Sequence, residues 1–160
     1  MAKLYASWVP GYSCVAQSMG PPTLAPNNQP FVDVNGLREG FGAYYYLKEG
    51  QSNWFHIAIP TPVIVEDRRA TLGRVMILFS VTAQFGALRS VHVWDGPNRI
   101  LQRDGLSVDG NHSGSLDAFN TFNVNHDGIA WGVGISMLFS APGGAEIYFA
   151  SAGGDFFHNI

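Results

Sequence analysis

The sequence predicts an all-β fold. The expected form is an antiparallel β-sandwich, jelly-roll-like, with about nine or ten strands in one domain over residues 1–160. Three observations carry this expectation. First, two stretches look like copies of one unit: R-V-M-I-L-F-S-V-T-A-Q-F-G-A-L-R-S-V-H-V-W-D-G at residues 74–96, and G-I-S-M-L-F-S-A-P-G-G-A-E-I-Y-F-A-S-A-G-G at residues 134–154. Each reads as a hairpin, with Leu-Phe-Ser near the end of an apolar strand, a Gly-containing turn and a second strand ending at Gly. Second, no segment repeats apolar residues at i, i+3 and i+4 over three helical turns. Third, 19 glycines and 9 prolines supply the turns that a many-stranded fold needs.

The elements follow in order. Residues 4–9 read as a first strand and residues 13–18 as a second, short one. Residues 20–30 (G-P-P-T-L-A-P-N-N-Q-P) read as a loop, because proline fixes φ and removes a ladder donor. Residues 31–34 suggest an edge strand, and Asn35-Gly36 a tight turn. The aromatic run at 41–47 is β-prone. A strand over 54–59 ends at Pro60-Thr61-Pro62. Residues 63–66 are short and extended, and the charged segment 66–70 reads as a solvent-facing bend. Residues 74–82, apolar on both faces, fit a central strand. Residues 90–94 alternate strictly: Val91 and Val93 face one way, and Ser90, His92 and Trp94 the other. After the turn at 95–98 a strand resumes over 99–102. Residues 105–117 are polar and Gly-rich and read as a mobile loop. Residues 119–124 alternate, 125–128 turn, 129–139 form one long strand, and 146–150 close the set. The tail at 153–160, with Phe156-Phe157, is expected to pack down.

Composition narrows the function classes. The net charge is −3, only 13% of residues are charged, and no basic cluster exceeds Arg68-Arg69. A nucleic acid partner needs a concentrated basic footprint, and an anionic membrane surface needs the same. Neither partner is expected. So little charge leaves much neutral or apolar surface, which points to self-association. The single cysteine, Cys14, excludes an intrachain disulfide and reads as a small buried hydrophobe. With no apolar stretch of signal-peptide or membrane-spanning length, the expected location is cytoplasmic.

The five histidines form no H-x-H or H-E-x-x-H pattern, so neither a metal nor another cofactor is expected. No G-x-S-x-G elbow occurs. One arrangement stands out. Trp54 and His56, two residues apart, share a strand face, and His92 and Trp94 do the same. Neighbouring strands in one sheet would then display two indoles and two imidazoles together. Flat aromatics beside hydrogen-bonding rings suit a small neutral ring-shaped ligand, saccharides included. The expected ligand-binding set is Trp54, His56, His92, Trp94 and Asp95, with no enzymatic chemistry required. Two other readings use the same residues: core indoles with histidines in polar gaps, or the centre of a subunit interface. An enzyme reading stands as the alternative, a hydrolase, isomerase or cyclase. It would use His56 or His92 as acid or base beside Asp95, under the 105–117 loop as a lid.

Two strings, N-W-F-H-I-A-I-P-T-P-V-I-V at 53–65 and V-H-V-W-D-G at 91–96, resemble segments in a family of small uncharacterised bacterial all-β proteins. The resemblance spans residues 40–150. It implies a small β domain and a bacterial source, and it brings no catalytic residues. It draws attention to Trp54, His56, Pro60, Pro62, His92, Trp94 and Asp95.

Overall fold

A computed structural model describes residues 2–17 and 37–159. Its elements in chain order are β1 (Ala2–Pro10), a 3-10 turn (Gly11–Ser13), β2 (Val15–Ala16), β3 (Leu37–Glu39), β4 (Gly42–Leu47), β5 (Gln51–Ile59), β6 (Ile64–Val65), β7 (Arg68–Arg69), β8 (Thr71–Val81), β9 (Ala87–Asp95), β10 (Asn98–Arg103), β11 (Gly110–His112), β12 (Thr121–His126), β13 (Val133–Ala141) and β14 (Ala145–Asn159). The loop expected at 20–30, the strand at 31–34 and the Asn35-Gly36 turn lie outside the described residues.

These strands make an all-β sandwich of jelly-roll-like form. One sheet has seven strands: β11, β8, β14, β4 and β3 in order, with β1 also pairing β14 and β12 also pairing β8. The other has five, in the order β10, β9, β13, β5, β2. β6 and β7 form a small separate hairpin. Every pairing is antiparallel. The strand count exceeds the expected nine or ten because several strands are only two or three residues long.

The two similar stretches are not hairpins. β8 lies in the seven-stranded sheet and β9 in the five-stranded one, so the first unit arches between sheets. β13 and β14 arch the opposite way. The copies interlock: β8 pairs β14, and β9 pairs β13. The Leu-Phe-Ser phenylalanines, Phe79 and Phe139, meet edge-on in the core with ring centroids 5.7 Å apart. Phe55 and Phe149 complete a buried aromatic cluster. The connecting turns touch as well, since Gly143 N–H donates to the Phe85 carbonyl at 3.1 Å. A central strand in each sheet is thus covered inside by its counterpart, which is why 74–82 reads apolar.

Period-two geometry sets the two faces of the five-stranded sheet. In β5, Asn53, Phe55, Ile57 and Ile59 are buried, while Ser52, Trp54, His56 and Ala58 take the outer face. In β9 the inward residues are Val91, Val93 and Asp95. In β13, Val133, Ile135, Met137 and Phe139 enter the core.

Three expectations need correction. Residues 129–139 are not one strand, because the backbone breaks at Gly132 (φ 135°) and β13 starts at Val133. The segment 105–117 is not an open loop. It contains β11, which pairs β8, and Leu88 bridges Val108. Asn120, fully buried, donates to the carbonyls of His112 and Ser115 and accepts from the Asp117 amide. The last strand does not end at residue 150 or at Gly154, because β14 runs on through 151–154 to Asn159. Its Gly153 leaves room for the Trp8 indole, which a Cβ there would meet at 2.6 Å.

Candidate functional site

Trp54, His56, His92 and Trp94 come together on the outer face of the five-stranded sheet. β5 and β9 are not direct neighbours, for β13 runs between them. Ser136 is the register partner of both His56 and His92, so the three side chains form a row across the strands. Leu138 pairs with Trp54, and Gly134 with Trp94. Together with Gln17, Trp54, His56, His92, Trp94 and Ser136 line an open depression of about 130 Å³. Gly134 adds no side chain to this face, and a Cβ there would stand in open space. The indole of Trp54 lies 4.9 Å from the His92 ring, tilted by 46°. The Arg99 guanidinium sits 5.9 Å from the centre of the Trp94 ring, a cation–π contact.

The imidazoles are held by neutral and anionic partners of different kinds. His56 Nδ1 is 2.7 Å from the Ser136 hydroxyl and Nε2 is 2.8 Å from Gln17 Oε1. The Gln17 oxygen only accepts, so Nε2–H donates to it and Nδ1 accepts from Ser136, which is the neutral tautomer. Burial lowers the His56 pKa below its ordinary value, in keeping with that assignment. His92 Nε2 is 2.8 Å from Asp104 Oδ1. Hydrogen bonds from the Gln102 amide, then from His92 and Ser90, hold the Asp104 carboxyl down at about 2. Asp104 is exposed, so this pair is a rim contact of little energetic weight.

Asp95 is not in this patch. Its side chain takes the inward face with Val91 and Val93 and is 3% exposed. It accepts the backbone N–H groups of Ala130, Trp131 and Gly132 at 2.8, 2.7 and 3.1 Å. Burial alone would raise its pKa, but these three donors outweigh it and hold the carboxyl below the ordinary range. Asp95 therefore fixes the loop before β13. The alternation along 90–94 already placed it on that side.

The other histidines are elsewhere. His112 Nδ1 is 2.7 Å from Asp117 Oδ2, and Nε2 is 2.8 Å from the Asp109 carbonyl. Both partners only accept, so the ring satisfies both as an imidazolium. Burial would lower its pKa, yet Asp117 and Asp109 override this and raise it. His126 ends β12, and His158 is buried edge-on to Tyr5 with neither ring nitrogen hydrogen-bonded. Among the described residues no three His, Cys, Asp or Glu side chains are grouped to hold a metal ion. Burial pushes the Cys14 thiol up, far from any nucleophilic form at neutral pH. Ser136, Gln17, Gln102, Asp104 and Arg99 went unrecognised in the sequence. Their places depend on strand order and register, for which local pattern holds no signal.

No family model and no curated protein matches the chain. Among solved structures, TmCBM61 in complex with beta-1,4-galactotriose aligns over 99% of this chain and 88% of its own, at 12% identity and a TM-score of 0.39. That is too distant to bear on the site. The resemblance at 53–65 and 91–96 accordingly gives a small all-β domain and no taxonomic origin. Among the described residues no helix is long and apolar enough to cross a membrane.

Proposed function

We propose that the protein is a non-enzymatic binding domain for a small neutral ligand of the saccharide class, held on the outer face of the five-stranded sheet. One observation supports this above the rest: Trp54 and Trp94, with His56, His92 and Ser136, surround one depression on the solvent side of the sheet. The indoles offer apolar faces to the C–H side of a pyranose ring. The imidazoles, Ser136 and Gln17 offer donors and acceptors for its hydroxyls. Both tryptophans are half-buried and lie outside the core cluster, so the sandwich does not require them for closure.

Trp94→Ala tests the reading. Binding of a mono- and oligosaccharide panel, followed by calorimetry, should disappear while the circular dichroism spectrum stays native. Retained binding, or loss of structure in this variant, would overturn it.

The enzyme alternative has less to stand on. Asp95 faces away from both histidines, the depression is open, and 105–117 is tied into both sheets, through β11 to β8 and through Val108 to Leu88 of β9. Self-association has one feature in its favour. On the outer face of the seven-stranded sheet, Leu4 pairs across strands with Phe157, and both are exposed, as is Trp8 on the same strand as Leu4. Sedimentation at several concentrations tests it, and a strictly monomeric protein would rule it out.

A further inference from the structure

Among the described residues Trp131 is the most exposed of the large hydrophobic side chains, at 73%. An indole left in water gains nothing from the hydrophobic effect. Its backbone is nevertheless held from several directions. The Asp95 carboxylate takes the amides of residues 130–132. Gly96 N–H donates to the Gly132 carbonyl at 2.8 Å, Val133 N–H donates to Thr61 Oγ1 at 2.9 Å, and Arg69 donates to the carbonyls of Ile129 and Ala130. The root of the indole rests on Gly96, where a Cβ would lie 2.7 Å from Trp131 Cβ. A buried carboxylate, an arginine, a threonine and a turn glycine thus fix a loop whose largest side chain points to solvent.

The position is as informative as the rigidity. Gly96 lies two residues beyond Trp94. Along β13 the partner of Trp54 is Leu138 and the partner of Trp94 is Gly134, and Trp131 stands three residues further on. At roughly 3.3 Å per extended residue, the four positions from Leu138 to Gly134 alone set Trp54 and Trp94 about 13 Å apart along the strands, and Trp131 lies beyond them past Gly132. One sugar ring cannot cover that length, whereas a chain of linked rings can.

We propose that Trp131 is a distal subsite for a neutral oligosaccharide whose first ring lies between Trp54 and Trp94, an assignment that rests on the binding function proposed above. Because the loop is already fixed, stacking a further ring on Trp131 costs little additional ordering. The substrate class is then a linear chain of several pyranose units rather than a free monosaccharide. Asp95 and Gly96 are positioning residues, acting through Trp131.

The test measures affinity for mono- to hexasaccharides of the α-1,4-glucose, β-1,4-glucose, β-1,4-mannose and β-1,4-xylose series, using the full chain and Trp131→Ala. Trp131 is exposed, so its replacement leaves the core intact. Affinity in at least one series should rise with length, by about tenfold between the shortest bound member and the hexasaccharide. Trp131→Ala should remove that rise and leave the short members bound as before. Asp95→Asn, which weakens the loop anchor, should reduce the same length dependence. An unchanged length dependence in Trp131→Ala, or binding with no length dependence in the parent chain, overturns the subsite and leaves the Trp54–Trp94 reading standing. Failure of every series to bind the parent chain overturns both.

Discussion

The patch around Trp54 and Trp94 and the connection around His112 and Asn120 are built from the same materials, yet they do opposite things with them. Both combine histidine, carboxylate, amide and aromatic groups. In the connection, Asn120 is fully buried and bonded to backbone on both sides, and His112 lies between two acceptors with Phe79 and Phe119 against its ring. In the patch, the partners of His56 and His92 include exposed side chains, Gln17 and Asp104, which can exchange their bonds for those of a ligand. What separates a recognition surface from a structural staple is whether the hydrogen-bond partners are replaceable.

The largest effect expected from this contrast is on stability. Asn120→Ala leaves the Asp117 amide and two carbonyls without their partner, and should cost about 3 kcal/mol in denaturant unfolding. Saccharide affinity should be unaltered. A cost below about 1 kcal/mol would erase the distinction. Next in size, Trp54→Ala should weaken saccharide binding tenfold or more, equivalent to about 1.4 kcal/mol, with a smaller change in unfolding. Equal losses of binding and stability would move Trp54 into the structural class.

A smaller effect concerns pH, and the two histidines carry opposite signs. The raised His112 pKa makes its contribution to stability complete below the unfolded value of about 6.5, and that contribution fades as pH rises through the higher folded value. The lowered His56 pKa makes its contribution complete above the unfolded value, with loss as pH falls through the lower folded one. NMR titration of the imidazole protons should show His112 titrating above 6.5 and His56 below it. The reverse order would refute both assignments of charge. The smallest expected change is Gln17→Ala, which should leave stability within about 0.5 kcal/mol, because Gln17 is exposed.

Much of this was readable in the sequence, and for one reason. Alternation along a strand is local, so the shared faces of Trp54 with His56 and of His92 with Trp94 need only their own residues. The same rule placed Asp95 inward, and treating it as part of the patch ignored that parity. Strand adjacency is not local. Nothing near Trp54 says that β13 separates it from His92, or that Ser136 falls between the imidazoles. Glycine was read too simply as a turn maker. Gly153 sits within β14 because Trp8 needs the space above it, and Gly132 ends an expected strand by its φ of 135°.

The interlocked arches carry a consequence for how the molecule comes into being. Each of the two related units takes a central ladder partner from the other, and the second unit is made some sixty positions later in the chain. Until those later strands emerge from the ribosome, β8 and β9 present bare edges in both prospective layers. Such non-local topology slows folding and leaves sticky intermediates in the interval. A fragment ending before residue 133 would lack both partners, and attempts to make the first unit alone should yield aggregate rather than a smaller domain.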